Sequence, residues 1–303
     1  MNFAESNSGK GQVNGNVTIL DGVGNVALFT DSGNPISGSG SITNQLGDNG
    51  LPTGRKLIME VCNVPFTNAA GAVVEYKANT DITSINKILT APNNSFIYTQ
   101  NITSINPSTY HNVFFTNFSD FTLGGDITVN GDLVIDNTTS LSMGANNINI
   151  RGNWIGNGTF TADTGSVIFD GSTLQTITTN ATSNFNNIAI NNPAHVAINN
   201  NVRSASVTLT QGRLQTGNFD FILMGSIATN QITQTFTNAS TSYIEVTATG
   251  GLVRENLLNG NLAVFPIGDA TAIRHIAVTP TATANVRASF DNNLVIPAPS
   301  GST

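Results

Sequence analysis

Four carboxylates lie close together in the middle of the chain, Asp120, Asp126, Asp132 and Asp136, and Arg151 follows a short way on. Clustered carboxylates beside a cation are what glycosidic-bond cleavage needs: one protonates the leaving oxygen and the other acts as base or nucleophile. Two of the four fall where a shifted copy of the sequence carries an amide. Asp132 matches Asn153 at an offset of 21, and Asp126 matches Asn201 at an offset of 75. Asn and Asp serve turns equally. Turn residues are therefore the expected role, no catalytic residue is assigned, and the chain is not read as an enzyme.

The other chemistry-bearing residues are scattered. Gly124-Gly-Asp126 and Asn130-Gly-Asp132 are similar to the glycine-and-aspartate repeat of calcium-binding β-rolls, but the tandem nine-residue period is missing. Calcium is expected only incidentally in such a loop, and no metal site or cofactor is assigned. His111, His195 and His275 each stand alone, whereas a metal site needs further ligands at set distances. Cys62 is the single cysteine, which excludes a disulfide within the chain. Flanked by Val61 and Val64, it reads as a buried apolar thiol. Tyr76, Tyr98, Tyr110 and Tyr243 could form a sugar-stacking surface, although core positions are the commoner use. Flat threonine arrays can order water, as in ice binding, but no Thr-x-Thr is sustained at one position of the repeat. Asn-x-Thr/Ser triplets such as Asn157-Gly-Thr159 are expected by chance in a chain this rich in both residues.

The elements behind these residues repeat. Ile127 matches Ile148, Val129 matches Ile150, Gly131 matches Gly152 and Leu133 matches Trp154, always at the same offset of 21. The phrase also occurs over residues 12–19 and, one residue longer, over 207–214. A larger similarity, at an offset of 75, places Tyr110 on Phe185, Val113 on Ile188, Phe115 on Ile190, Phe121 on Val196 and Ile127 on Val202. Asn-Gly between alternating apolar residues is a strong hairpin signal. A hairpin does not need to recur with the same inward positions, whereas a solenoid does. The expected fold is therefore all-β, a right-handed parallel β-helix. Gly131 should form a corner, and Val129, Leu133, Ile150 and Trp154 should form inward rungs about 4.8 Å apart. An antiparallel sandwich is the alternative. The inward set reads Val129, Leu133, Ile135, Ile148, Ile150, Trp154, Phe160, Val167, Phe169, Ile177, Ile188, Ile190, Val196 and Ile198.

Composition agrees. Only 10% of the 303 residues are charged, while Asn and Thr each number roughly 40, far above ordinary usage. Thr suits the pleat, and Asn suits turns and ladders. The net charge of −7 and the lack of a basic stripe argue against nucleic acid. No apolar run reaches 18 residues, so no membrane insertion is expected. The opening MNFAESNSGKG carries no leader features, and because the pattern starts in mid-phrase a missing leader is expected.

We expect coils of 21–25 residues over 1–240, and a β-rich C-terminal module, sandwich-like or capping, over 241–296. A linker-like tail is expected at 297–303, with the natural protein continuing past it.

The segments GDITVNGDLVID (125–136), INIRGNWIGNGTFTADTGSVIFDG (148–171), LQTITTNATSNFNNIAINN (174–192) and FPIGDATAIRHIAVTP (265–280) resemble the repeat-rich surface and secreted proteins of Bacteroidetes. Many of those are adhesin-like and exported by the type IX system. The resemblance covers roughly residues 95–290 and implies an extracellular, cell-surface location. It carries no active-site signature, and the sorting domain of that export route is not visible. The expected function is a structural or adhesive spacer in a larger bacterial protein. The alternative is a carbohydrate-binding or carbohydrate-active β-helix, with ice binding a more distant one. Expected partners are a surface glycan or another surface protein, and neighbouring domains of the same chain.

Overall fold

A computed structural model describes residues 15–290, apart from 21–23, 29–35, 38, 61, 79–86, 226–230 and 235–240. The first part of the phrase at 12–19, the end of the C-terminal module and the tail at 297–303 lie outside the described residues. Within them are thirty-one strands and no helix. Poor helix formers throughout, and Asn or Gly at each corner, leave the chain little else to form.

The fold is a parallel β-solenoid. One long sheet of 13 strands runs from Val26–Leu28 to Ile273–Val278, and only that last strand is antiparallel to its neighbour. A second sheet of 10 strands lies beside it, beginning at Ser108–Tyr110. The third sheet has four strands: Ile102–Ile105, Asp120–Leu123, Ser140–Ser142 and Thr159–Thr161. Another four-stranded sheet, from Asn16–Ile19 to Lys87–Ile88, serves the N-terminal coils. Coil length varies, yet register is kept: Leu57 stacks on Val74, Leu133 on Trp154 and Leu214 on Ile244. Side chains of neighbouring coils therefore form columns along the axis.

The opening phrase is a corner and not a hairpin. Val129 pairs in parallel with Tyr110 and Ile150 in the second sheet, while Leu133 pairs with Val113 and Trp154 in the long sheet. Between them, the Gly152 N–H donates to the Gly131 carbonyl at 3.0 Å. A Cβ on Gly152 would stand 2.2 Å from that oxygen, so the close backbone stacking requires glycine there.

The offset of 75 does not describe the fold in the same way. Val113 and Phe115 lie in the long sheet, whereas Ile188 and Ile190 lie in the second. Tyr110 and Phe185, like Ile127 and Val202, do share a sheet. The phase slips because coil lengths differ, and the column of the third face runs on within strands of the second sheet: Thr161 bridges Asn184, Phe185 pairs with Ser204, and Ser204 with Leu223. Three asparagines join Ile198 to Val202, a corner leading from the long sheet directly to residues 202–204 in that column.

A single core runs from Ile19 to Ala288. Every residue of the expected inward set is 3% exposed or less. The rings gather in two clusters. Tyr76, Phe96, Tyr98, Tyr110, Phe115 and Phe121 form the first, and Trp154, Phe160 and Phe185 the second, with the Trp154 and Phe160 centroids 4.7 Å apart. Toward the C-terminus, Ile244–Glu245 and Gly251–Leu257 continue the long and second sheets in parallel. Ile273–Val278 and Ala284–Ala288 then pair antiparallel onto the last coil.

Candidate functional site

The carboxylates singled out by the sequence open different faces. Asp120 is the first residue of a strand of the third sheet, Asp126 precedes one of the second and Asp132 one of the long sheet. Each is a rung. The Asn153 N–H and Nδ2 donate to Asp132 Oδ1 at 2.8 and 3.0 Å. The Asp132 N–H in turn donates to Asn112 Oδ1 at 2.9 Å, and the Thr176 N–H to Asn153 Oδ1 at 2.9 Å. Asp126 accepts the Asn147 N–H at 2.7 Å, and Asn147 Oδ1 accepts that of Ser166 at 3.1 Å. Asn101 Oδ1 accepts the Asp120 N–H at 2.8 Å. Each side-chain oxygen thus satisfies a corner N–H that the strands leave unpaired. Asp136 follows its strand, and burial raises its pKa. Arg151 Nη1 donates to Asn130 Oδ1 at 2.7 Å and its Nε lies 3.7 Å from Asp170. Among the described residues, no group of three or more His, Cys, Asp or Glu is placed to hold a metal ion.

The tyrosines do not form a surface. All four are buried: the Tyr98 and Tyr110 hydroxyls meet at 2.7 Å inside the core, and Tyr243 donates to the Asp269 carbonyl at 2.7 Å. Cys62 is buried, its thiol pushed up by burial. The outward positions of the third sheet carry two hydroxyl-rich columns, Asp120–Ser140–Thr159 and Thr122–Ser142–Thr161. Serine and aspartate substitute for threonine in them, which hides the columns from a search for Thr-x-Thr.

His195 belongs to a polar cluster on the long sheet. Its Nδ1 faces the Arg213 backbone N–H at 3.2 Å, and its Nε2 lies 2.8 Å from Arg213 Nη2. Arg213 Nη1 also reaches Glu245 Oε2 at 3.2 Å and donates to the Ala270 carbonyl at 2.6 Å. Both neighbours are donors, and a neutral ring offers one acceptor nitrogen where a protonated ring offers none, so protonation is disfavoured. Burial holds the His195 pKa below its ordinary value; Arg213 lowers it further and Glu245 opposes. His111 is lowered too, by burial, with Asp132 opposing. The unfolded chain takes these protons near about pH 6.5. Their contribution is therefore whole above that pH and is lost as pH falls through the folded values. Asp48 and Asp269 are held low, chiefly by hydrogen bonds from Arg55 and Thr271, so their contribution is lost only in stronger acid. The urea midpoint should fall between about pH 7 and pH 5, and His195→Gln should flatten that fall. An unchanged slope in the variant would place the acid loss elsewhere.

A concavity begins where the regular pairing of the third sheet stops. Thr159–Thr161 is the sheet's last strand, and the next coil meets it only through an isolated bridge between Thr161 and Asn184. The Phe160 N–H is taken by Ser183 Oγ at 3.0 Å. Beside that strand and the bridge lies a groove of about 350 Å³. Thr159, Thr161 and Asp163 on one coil and Thr182, Asn184 and Asn186 on the next supply its polar part. Ala205 and Met224 supply its apolar part, since the Phe160 and Phe185 rings are buried against Trp154. These residues come from successive coils, so the groove follows the axis. No composition signal marks it, because it depends on which coils become neighbours.

No protein-family model, no curated protein and no solved structure matches this chain.

Proposed function

We propose that this chain is a structural and adhesive segment of a larger secreted or cell-surface protein, with no catalytic role. The observation that carries this reading is the continuous stack, one core and one sheet kept in register through coils of unequal length. Eleven steps between the twelve parallel strands of the long sheet, at about 4.8 Å each, give a rod about 53 Å long. Such a rod holds a terminal module away from a surface. Its paired backbone offers proteases few open segments. The Bacteroidetes origin, the adhesin role and export by the type IX route rest on the sequence resemblance, and the extracellular location rests on it too.

The test is direct. Incubated with a panel of polysaccharides, the chain should release no reducing ends, while solution scattering should report an elongated particle of the stated length. Cleavage that disappears in Asp132→Asn or Asp126→Asn would overturn the non-catalytic reading. A globular scattering profile would overturn the rod.

A further inference from the structure

The groove at the end of the third sheet gives the adhesive reading a chemistry. We propose that it binds a short, uncharged oligosaccharide lying along the solenoid axis. This rests on the adhesive half of the reading above and not on the rod.

Three observations point there. First, the size and shape fit. A volume of about 350 Å³ lies within the range of small-ligand sites. The lining reaches from Asp163 through Asn186 and Ala205 to Met224, one corner of four successive coils, a span of about 14 Å at about 4.8 Å per step. Second, the lining matches a sugar's two kinds of surface. Threonine hydroxyls and asparagine amides donate and accept toward ring hydroxyls, and the half-buried Ala205 and Met224 meet a C–H face. Third, competing ligands fit less well. Asp163 is the only charged residue in the lining, so acidic glycans and nucleic acid find no cation there. An extended peptide adding to a sheet edge needs free main-chain groups. Here Ser183 already takes the Phe160 N–H, and Thr161 is already bridged to Asn184.

The experiment is amide chemical-shift mapping of the whole chain with β-1,4-linked trisaccharides of glucose, mannose and N-acetylglucosamine. At least one should shift amides within 159–163, 182–186, 205 and 224, and leave the distant corner at 131–132 unmoved. Ala205→Arg, which fills the groove, should weaken that trisaccharide's binding by about tenfold or more. Asn184→Ala, at an exposed lining position, should weaken it several-fold with an unfolding midpoint equal to that of the parent. Thr122→Ala, on the same face but outside the groove, should leave binding unchanged. The proposal is overturned if none of the three trisaccharides shifts the groove, or if shifts map elsewhere. Binding that survives both groove substitutions, or a neutral tetrapeptide that shifts the groove more strongly than every trisaccharide, also overturns it. A rod-like scattering profile alongside any of these results would leave the spacer reading intact.

Discussion

Trp154→Ala should cost about 3–5 kcal/mol, the largest single loss expected in this molecule. Trp154 is fully buried and stacks between Leu133 and Ile177 in the long sheet. It also meets Phe160 and Phe185 at centroid distances of 4.7 and 5.3 Å. Removing it takes a ring from three coils at once, and the columns above and below hold the cavity open. In a stacked array each coil depends on its neighbours, so the loss reaches beyond one turn. Urea unfolding should show the shifted midpoint, and hydrogen exchange should show weakened protection in the coils at 133–135 and 175–179. Trp154→Phe should cost less, because the indole Nε1 is buried without a partner and leaves with the ring volume. A loss below about 1 kcal/mol for the alanine variant would mean that these coils do not unfold as one unit with their neighbours.

Arg254→Met should act in the opposite direction and stabilise the chain by about 1–4 kcal/mol. Arg254 is only 5% exposed and faces the core on the strand Gly251–Leu257. Its guanidinium donates to the Val264 carbonyl at 2.8 Å and to Gln231 Oε1 at 3.3 Å, and it lies over the Phe265 ring. Among the described residues no carboxylate pairs with it, and its Nε has no hydrogen-bond partner. Burial alone lowers its pKa. An ion taken from water with so little compensation is a net cost, and methionine fills similar space without charge. Arg254→Ala should destabilise instead, since it leaves a cavity. Equal losses for methionine and alanine would show that the hydrogen bonds outweigh the desolvation.

The fold was legible where the repeat is regular. Ile127, Val129, Leu133, Ile148, Ile150 and Trp154 could be paired from spacing alone, because a coil of constant length writes its register into the sequence. The corner roles of Asp126 and Asp132 were legible for the same reason: a carboxylate at a place another coil gives to an amide is a turn group. The offset of 75 misled because alternation of apolar and polar residues looks the same on every sheet. It cannot tell the long-sheet strand at Val113 from the second-sheet strand at Ile188. The polar cluster around His195 and the groove were not legible. Both depend on which coils become neighbours after lengths have changed.

The asparagine and aspartate corners have a further consequence. At Asn112, Asp132 and Asn153, as at Asp126 and Asn147, each side-chain oxygen faces the next coil and takes its N–H. These corners therefore point one way, like the teeth of a ratchet, and the two ends of such a stack are complementary, not alike. Left open, a rod of this kind would invite copies to join head to tail without closure. The antiparallel strands at Ile273–Val278 and Ala284–Ala288 reverse the direction of hydrogen bonding at one end. They also place Arg274 and Arg287 on the outermost strands, where charge discourages pairing with another sheet. The closing strands thus keep a directional molecule finite.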